Sequence, residues 1–167
     1  MSLLLSASDL RGITFRATLN EEVINVAAAD DFGALRLRDI ESKDLLPTQN
    51  LLIVGAELDL SVQVLGFTSN TVGTLAFGLG TATASLGTIL TLAPLAQNVM
   101  AQFAASGSGS IGTVSRNANA NTATGLVQMN STTGNPIFLN VVGACTAAST
   151  VTVSGNVFVH AFVLGSL

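Results

Sequence analysis

Glu57 and Asp59 are two carboxylates that stand two residues apart, in a segment where apolar and polar residues alternate. In a strand, residues i and i+2 point to the same face, so we expect the carboxylates about 7 Å apart. Such a pair can bind Ca²⁺ or act as acid and base in glycoside hydrolysis. Two acids on the solvated side of an amphipathic strand explain the same spacing without any function. We therefore predict no catalytic residue and no metal centre, and keep the pair only as candidate cation ligands.

His160 is the only histidine, and it alternates with Phe158 and Phe162. A metal site would need further ligands that the chain scarcely supplies. We therefore expect His160 to be a packed or an interface histidine, and Phe158, His160 and Phe162 are candidate residues of an oligomer interface. Cys145 is the only cysteine, so no intrachain disulfide can form, and a reducing site of synthesis fits. It is surrounded by small residues with no cation nearby in sequence, which is typical of a buried, unreactive thiol.

Residues 107–112 match the pattern G-x-G-x-x-G. A phosphate-binding loop with this pattern requires a strand before it and a helix after it. Here a predicted helix precedes the glycines and a loop rich in Asn, Ala and Thr follows them. We therefore interpret the stretch as a linker, and the sequence predicts no cofactor.

The charged residues are unevenly distributed along the chain. Of 16 charged residues, 15 lie at or before Asp59, and Arg116 is the only one from Leu60 to Leu167. A surface with so little charge is poorly protected against association, so we expect copies of the chain or a larger assembly to cover it. A net charge of −4 without a basic cluster argues against nucleic acid as a partner. The sequence contains no run of about 20 apolar residues, so no membrane span is predicted.

The sequence after residue 136 predicts two strands joined by small turn residues. Its last strand places six apolar side chains on one face, and they are Val151, Val153, Val157, Val159, Ala161 and Val163. Residues 54–64 alternate in the same way, with Val54, Ala56 and Leu58 beginning the apolar face. Two long strands cannot bury such faces alone, so the rest of the chain must cover them.

Many short strands separated by Gly, Asn, Ser and Thr turns predict an all-β fold. We expect a jelly-roll-like antiparallel β-sandwich in residues 51–167, preceded by an extended, charged N-terminal arm with short strands in residues 1–50. At most one short helix is predicted, over residues 94–105, because Pro is tolerated in a first turn and Ala, Leu, Gln and Met favour helix. Residues 106–110 and 116–124 are predicted to be loops.

Several stretches resemble the aliphatic, Thr- and Gly-rich sheets of structural proteins of tailed-bacteriophage virions. They are residues 56–62 (AELDLSV), 74–85 (TLAFGLGTATAS), 136–141 (PIFLNV) and 150–155 (TVTVSG). The resemblance is to head decoration, or cement, proteins and related jelly-roll modules, and it covers about two thirds of the chain. It implies a non-enzymatic homotrimer that sits on the capsid shell and braces neighbouring capsomers.

The resemblance also implies partners and a location. The partners would be further copies of the chain and the major capsid protein or other virion proteins, at the capsid surface, after synthesis in the host bacterial cytoplasm. The N-terminal arm would reach the shell or a neighbouring subunit through Arg11, Arg16, Arg36, Arg38 and Lys43. Two alternatives stay open. One is a tail, fibre or minor shell component, and the other is a β-sandwich that binds carbohydrate or a cell surface.

Overall fold

The computed structural model describes residues 10–26, 32–37, 50–65, 72–88, 91–119, 127–130, 136–143 and 149–164. These residues form β-strands and two single-turn 3₁₀ helices, Val72–Thr74 and Pro94–Ala96. The strands are β1 (Leu10–Val26), β2 (Phe32–Leu37), β3 (Asn50–Leu65), β4 (Ala76–Gly80), β5 (Leu86–Thr88), β6 (Thr91–Leu92), β7 (Met100–Ala104), β8 (Ser106–Ser108), β9 (Ile111–Asn119), β10 (Val127–Asn130), β11 (Ile137–Val142) and β12 (Ser149–Leu164). Two antiparallel sheets pack against each other, which confirms the predicted all-β sandwich.

The larger sheet has the strand order β1-β12-β3-β9-β8, and β10 pairs with the first residues of β3. The smaller sheet has the order β2-β11-β4-β7. Strands β5 and β6 form a separate two-stranded ribbon. The N-terminal region therefore supplies one strand to each sheet, β1 to the larger and β2 to the smaller.

Four strand pairings nest inside one another along the chain. Strand β1 pairs with β12, β2 with β11, β3 with β9, and β4 with β7. Winding this nested ribbon into two layers also brings β12 beside β3 and β11 beside β4. Such an arrangement of eight strands in two sheets is jelly-roll-like, as the sequence predicted.

Strand β12 is an interior strand of the larger sheet, between the edge strand β1 and β3. The six side chains predicted to share one face are all buried. They belong to the same apolar core as Phe77, Leu79 and Leu139 of the smaller sheet. Alternation therefore correctly predicted which face of β12 packs against the second sheet.

Strand β3 follows its predicted alternation only from Ala56 onward. His160 and Ala161 on β12 pair with Gly55 and Ile53, so Val54 is an extra residue without a partner in the register. Such a bulge reverses the inward and outward positions on either side of it. Consequently Ile53 is buried, whereas Val54 is 37% exposed. The prediction that Val54 shares the buried face with Ala56 was wrong.

Gly155 lets β12 pass close to β3 without interrupting the strand. Its φ is +136°, and a Cβ added there would lie 2.2 Å from the backbone oxygen of Asp59. An L side chain would thus meet both an unfavourable backbone conformation and a clash with neighbouring backbone. The position requires glycine.

The outer surface of the smaller sheet is covered by the chain itself. We call this surface the covered face, and the residues above it, 81–88 and 91–98, the covering segment. A Cβ on Gly80 would lie 2.3 Å from the carbonyl carbon of Ala96, so only glycine allows this approach. Buried Asn140 donates from Nδ2 to the carbonyl oxygens of Ala82, at 3.1 Å, and Ala96, at 2.8 Å. Apolar contacts and the two hydrogen bonds of Asn140, one buried and one partly buried, therefore fix the segment.

The predicted helix over residues 94–105 is wrong. A single 3₁₀ turn ends at Ala96, and strand β7 then pairs with β4 through Phe103 and Phe77. Leu95 is exposed while Val99 is buried, so the four-residue spacing does not form one helical stripe. Sheet pairing and the packing of Val99 in the core outweigh the helix propensity of the segment.

The loops predicted over residues 106–110 and 116–124 are also partly wrong, and residues 120–124 lie outside the described part of the chain. Strand β8 begins at Ser106, and β9 extends from Ile111 to Asn119. A tight turn joins them, with Gly109 at φ +65°. The G-x-G-x-x-G residues thus belong to a β-hairpin, without the helix that a phosphate-binding loop requires.

Candidate interaction surface

The outer surface of the larger sheet carries most of the candidate residues, and we call it the open face. It consists of the outward side chains of β1, β12, β3 and β9, which are exposed or half-buried. Among the described residues, no segment packs over it in the way that residues 81–98 cover the other sheet. The open face includes Thr14, Arg16 and Thr18 of β1, Asn156, Phe158, His160 and Phe162 of β12, Glu57 and Asp59 of β3, and Ser115 and Asn117 of β9.

Phe158, His160 and Phe162 form a column along β12 on this face, as the alternation predicted. Each is opposite a residue of β1. Phe162 lies beside Gly12, His160 Nδ1 is 3.1 Å from Thr14 Oγ1, and the Arg16 guanidinium carbon is 5.8 Å from the Phe158 ring centroid. Phe162 remains 38% exposed. The column thus presents apolar surface to solvent, while its polar atoms bond within the sheet.

Asn156 holds Arg16 in place on the open face. Its Oδ1 accepts hydrogen bonds from Arg16 Nε, at 2.9 Å, and from Thr18 Oγ1, at 3.2 Å. Sequence reasoning missed this group, because the two strands are about as far apart in the chain as they can be. The bond to Nε orients the guanidinium fork, and the terminal nitrogens bond to no other described residue.

Glu57 and Asp59 lie side by side on β3, as predicted, with neutral residues on both flanks. Glu57 is opposite Phe158 and Asn117, and Asp59 is opposite Asn156 and Ser115. Neither carboxylate is paired with another residue in the described ranges. No group of three or more His, Cys, Asp or Glu residues that could hold a metal occurs in this part of the chain. The pair presents uncompensated negative charge on the open face.

Of the five basic residues predicted to make contacts, the structure describes Arg11, Arg16 and Arg36. Arg16 lies on the open face, and Arg36 is exposed on β2 in the other sheet. Arg11 pairs with Val163 at the start of β1. Arg38 and Lys43 lie outside the described residues, as does Cys145.

A cleft of about 400 Å³ separates the edge strands β1 and β2. Ala17, Leu35 and Leu37 provide apolar walls, and Glu22 and Arg36 contribute one charge of each sign. Arg36 thus lies at the side of the sandwich, away from the column on β12.

A shallow depression of about 450 Å³ lies on the open face itself. Its lining is mainly hydroxyl and amide groups from Ser61, Gln63, Thr152 and Ser154, with the carboxylate of Glu21. Glu21 has φ +54° at a bulge of β1, and its backbone N–H donates to Ser154 Oγ at 2.9 Å. This arrangement offers polar contacts without an aromatic platform.

Arg116 has a structural role that the sequence did not reveal. Its guanidinium carbon lies 5.0 Å from the centroid of the Phe103 ring, on β7 of the other sheet. A cation over a ring face is favourable, so the residue caps the apolar edge between the two layers. Its isolation in the sequence was the only signal that it mattered.

In the described ranges, no helix has the length and apolar character needed to cross a membrane. No protein-family model matches the sequence, and comparison with curated proteins finds no match.

Proposed function

We propose that this chain is a non-enzymatic structural protein of a tailed-bacteriophage virion, a head decoration protein that forms homo-oligomers, as trimers, and stabilises the capsid shell. One observation carries the proposal: the open face is a broad, ordered sheet surface that no described segment covers. It has few charges and carries the exposed ring of Phe162 and the half-buried ring of Phe158. Such a surface suits contact with other protein subunits.

The strand topology supports the proposal. Jelly rolls occur in viral capsid proteins, and also in lectin domains and cupins. Because proteins with this fold have many functions, the fold alone does not define one, and the proposal depends on the properties of the open face. The sequence resemblance to decoration proteins selects the capsid among these possibilities.

The mechanism is passive stabilisation. A subunit that buries apolar surface on its neighbours and on the shell gains about 25 cal/mol for each Å² removed from water. Repeated over many copies, this stabilises the closed shell against internal pressure. The basic residues Arg11, Arg16, Arg36, Arg38 and Lys43 are proposed to orient the subunit on the shell or on its neighbours, because charge complementarity contributes more to orientation than to affinity.

Co-sedimentation with undecorated tailed-phage head shells tests the function. We expect the protein to pellet with shells at a saturating, symmetric stoichiometry and to appear as added density on their surface in electron micrographs. The same shells already carrying their decoration protein provide the control. Failure to bind any undecorated shell, by a protein that is folded and oligomeric, would contradict the virion assignment.

Carbohydrate or cell-surface binding is the second candidate, and the polar depression around Ser154 favours it. Hydroxyl and amide groups that surround a carboxylate can bond to sugar hydroxyls. Calorimetric titration with a panel of glycans, using the Ser154→Ala and Gln63→Ala variants as controls, would detect this activity. Saturable binding that both variants weaken would favour this candidate over the capsid.

A further inference from the structure

We propose that the open face is the contact between copies of the chain, and that Arg16 of one copy pairs with Glu57 of the next. This inference rests on the self-association in the proposed function and identifies the residues that carry it. The geometry of a single cross-strand row points to this contact.

Arg16, Phe158 and Glu57 form that row, with Phe158 on the central strand β12. Arg16 lies one strand to one side of Phe158, and Glu57 lies one strand to the other side. Consider a rotation axis that is parallel to β12 and stands in front of the open face. Rotation about this axis places the β1 side of each copy against the β3 side of its neighbour. Equivalent cross-strand rows stay at the same position along the axis. Opposite charges from the same row therefore meet.

The side chains of Arg16 and Glu57 are both positioned for such a contact. Asn156 holds Arg16 through Nε and leaves the terminal guanidinium nitrogens without a bond to any described residue. Glu57 is likewise unpaired within the described part of the chain, and it is only half-exposed. An arginine fork and a carboxylate form the strongest type of charged hydrogen bond, and fixing the fork in advance reduces the entropy lost on pairing.

Other side chains of the open face fit the same axis. Phe158 and Phe162 lie on β12, so they would meet their counterparts close to the axis. Asp59 lies on the same strand face as Glu57 and would add to the attraction for Arg16. Glu21 of β1 also lies on this face, at the depression lined by Ser61 and Ser154, but outside the row of Arg16 and Glu57, so like charges do not meet within that row.

The area is sufficient for a specific contact. Four strands about 4.8 Å apart and about ten residues at 3.3 Å per residue give a face of roughly 600 Å². A standard interface buries about 800 Å² on each partner, so the open face supplies most of one. The geometry holds for two-fold and three-fold rings alike, and the trimer of the proposed function is the three-fold case.

Charge reversal with rescue tests the contact in the full chain. The single variants Arg16→Glu and Glu57→Arg each place like charges opposite one another, so we expect self-association about tenfold weaker or more. The double variant Arg16→Glu with Glu57→Arg restores opposite charges across the contact and should recover most of the affinity. Sedimentation velocity over a concentration series measures the association. Thermal melts followed by circular dichroism confirm that each variant is folded.

Glu22→Arg is the matched control, because it makes the same change of charge as Glu57→Arg but in the cleft between β1 and β2, away from the open face, and we expect it to leave self-association unchanged. A wild-type oligomer that neither single reversal weakens would overturn the Arg16–Glu57 contact. A monomeric wild type would overturn self-association altogether. A dimer that responds to the reversals would support the contact and contradict the trimer. A responsive oligomer that does not bind shells would contradict the virion function alone.

Discussion

The two sheets of the sandwich have similar inner faces but very different outer faces. On the smaller sheet, Gly78 and Gly80 leave room for the chain to fold back over the surface, and Asn140 bonds to the backbone of the covering segment. On the larger sheet, Asn156 has the same amide group but bonds to Arg16 and Thr18 of the neighbouring strand. Asn140 thus holds the covering segment in place, whereas Asn156 orients side chains on the open face. Small residues, and an amide that bonds to backbone, are thus found on the face that another segment of the chain covers. Large side chains that bond to one another are found on the face that no described segment covers.

A Gly→Ala substitution on each face should give the largest difference in the free energy of unfolding between the two faces. In Gly80→Ala, the new Cβ would lie 2.3 Å from the carbonyl oxygen of Leu95 and the carbonyl carbon of Ala96, both of them backbone atoms. We expect the free energy of unfolding to fall by roughly 3 kcal/mol, because the covering segment must move. Urea denaturation measures the change.

Gly12→Ala is the matched change on the open face. Its Cβ would lie 3.8 Å from Cε1 of Phe162, an ordinary contact, so the effect should stay within about 0.5 kcal/mol. Equal losses in the two variants would remove the distinction between a closely covered and an accessible face.

Replacing the two asparagines by alanine should give the next largest difference. Asn140→Ala removes one buried and one partly buried hydrogen bond, and we expect a loss of about 2 kcal/mol. The buried Oδ1 of Asn140 has no hydrogen-bond partner among the described residues, so its removal offsets part of the cost. Asn156→Ala loses only exposed bonds and should cost about 0.5 kcal/mol. A larger effect at Asn156, measured on the monomer in urea, would show that the open face contributes to folding as much as the covered one.

The two arginines above phenylalanine rings should give the smallest difference. Arg116→Ala removes a cation–π contact that joins the two sheets, and we expect a loss of about 1 kcal/mol. Arg16→Ala removes a longer contact within one sheet and should cost about 0.5 kcal/mol in the monomer. A double-mutant cycle with Phe103→Leu isolates the first interaction. A coupling energy near zero there would mean that Arg116 does not cap the edge.

Alternation in the sequence predicted the fold class and both faces of β12, because a strand of that length in a sandwich must bury one side. It failed at Val54, where a bulge reverses the inward and outward positions. It also failed over residues 94–105, where helix-forming composition yields to pairing between β7 and β4. Both failures arise from partner strands, which a local pattern does not contain.

The open face was only partly predictable for the same reason. Phe158, His160 and Phe162 were identified from one strand, and Glu57 and Asp59 from another. The register that places Arg16 and Glu57 on either side of Phe158 depends on strands that are separated by about a hundred residues or more of sequence. The covering segment was likewise invisible, since Asn140 meets Ala82 across 58 positions.

The position of β12 between β1 and β3 has a consequence for biosynthesis. All the other described strands precede β12 in the chain, yet the place between β1 and β3 in the larger sheet is empty until β12 arrives. A growing polypeptide can therefore assemble local hairpins such as β8–β9, but it cannot close the sandwich before β12 leaves the ribosome. The aromatic column belongs to that same late strand. The proposed contact between copies includes this column, so it forms only after β1 and β3 have been synthesised.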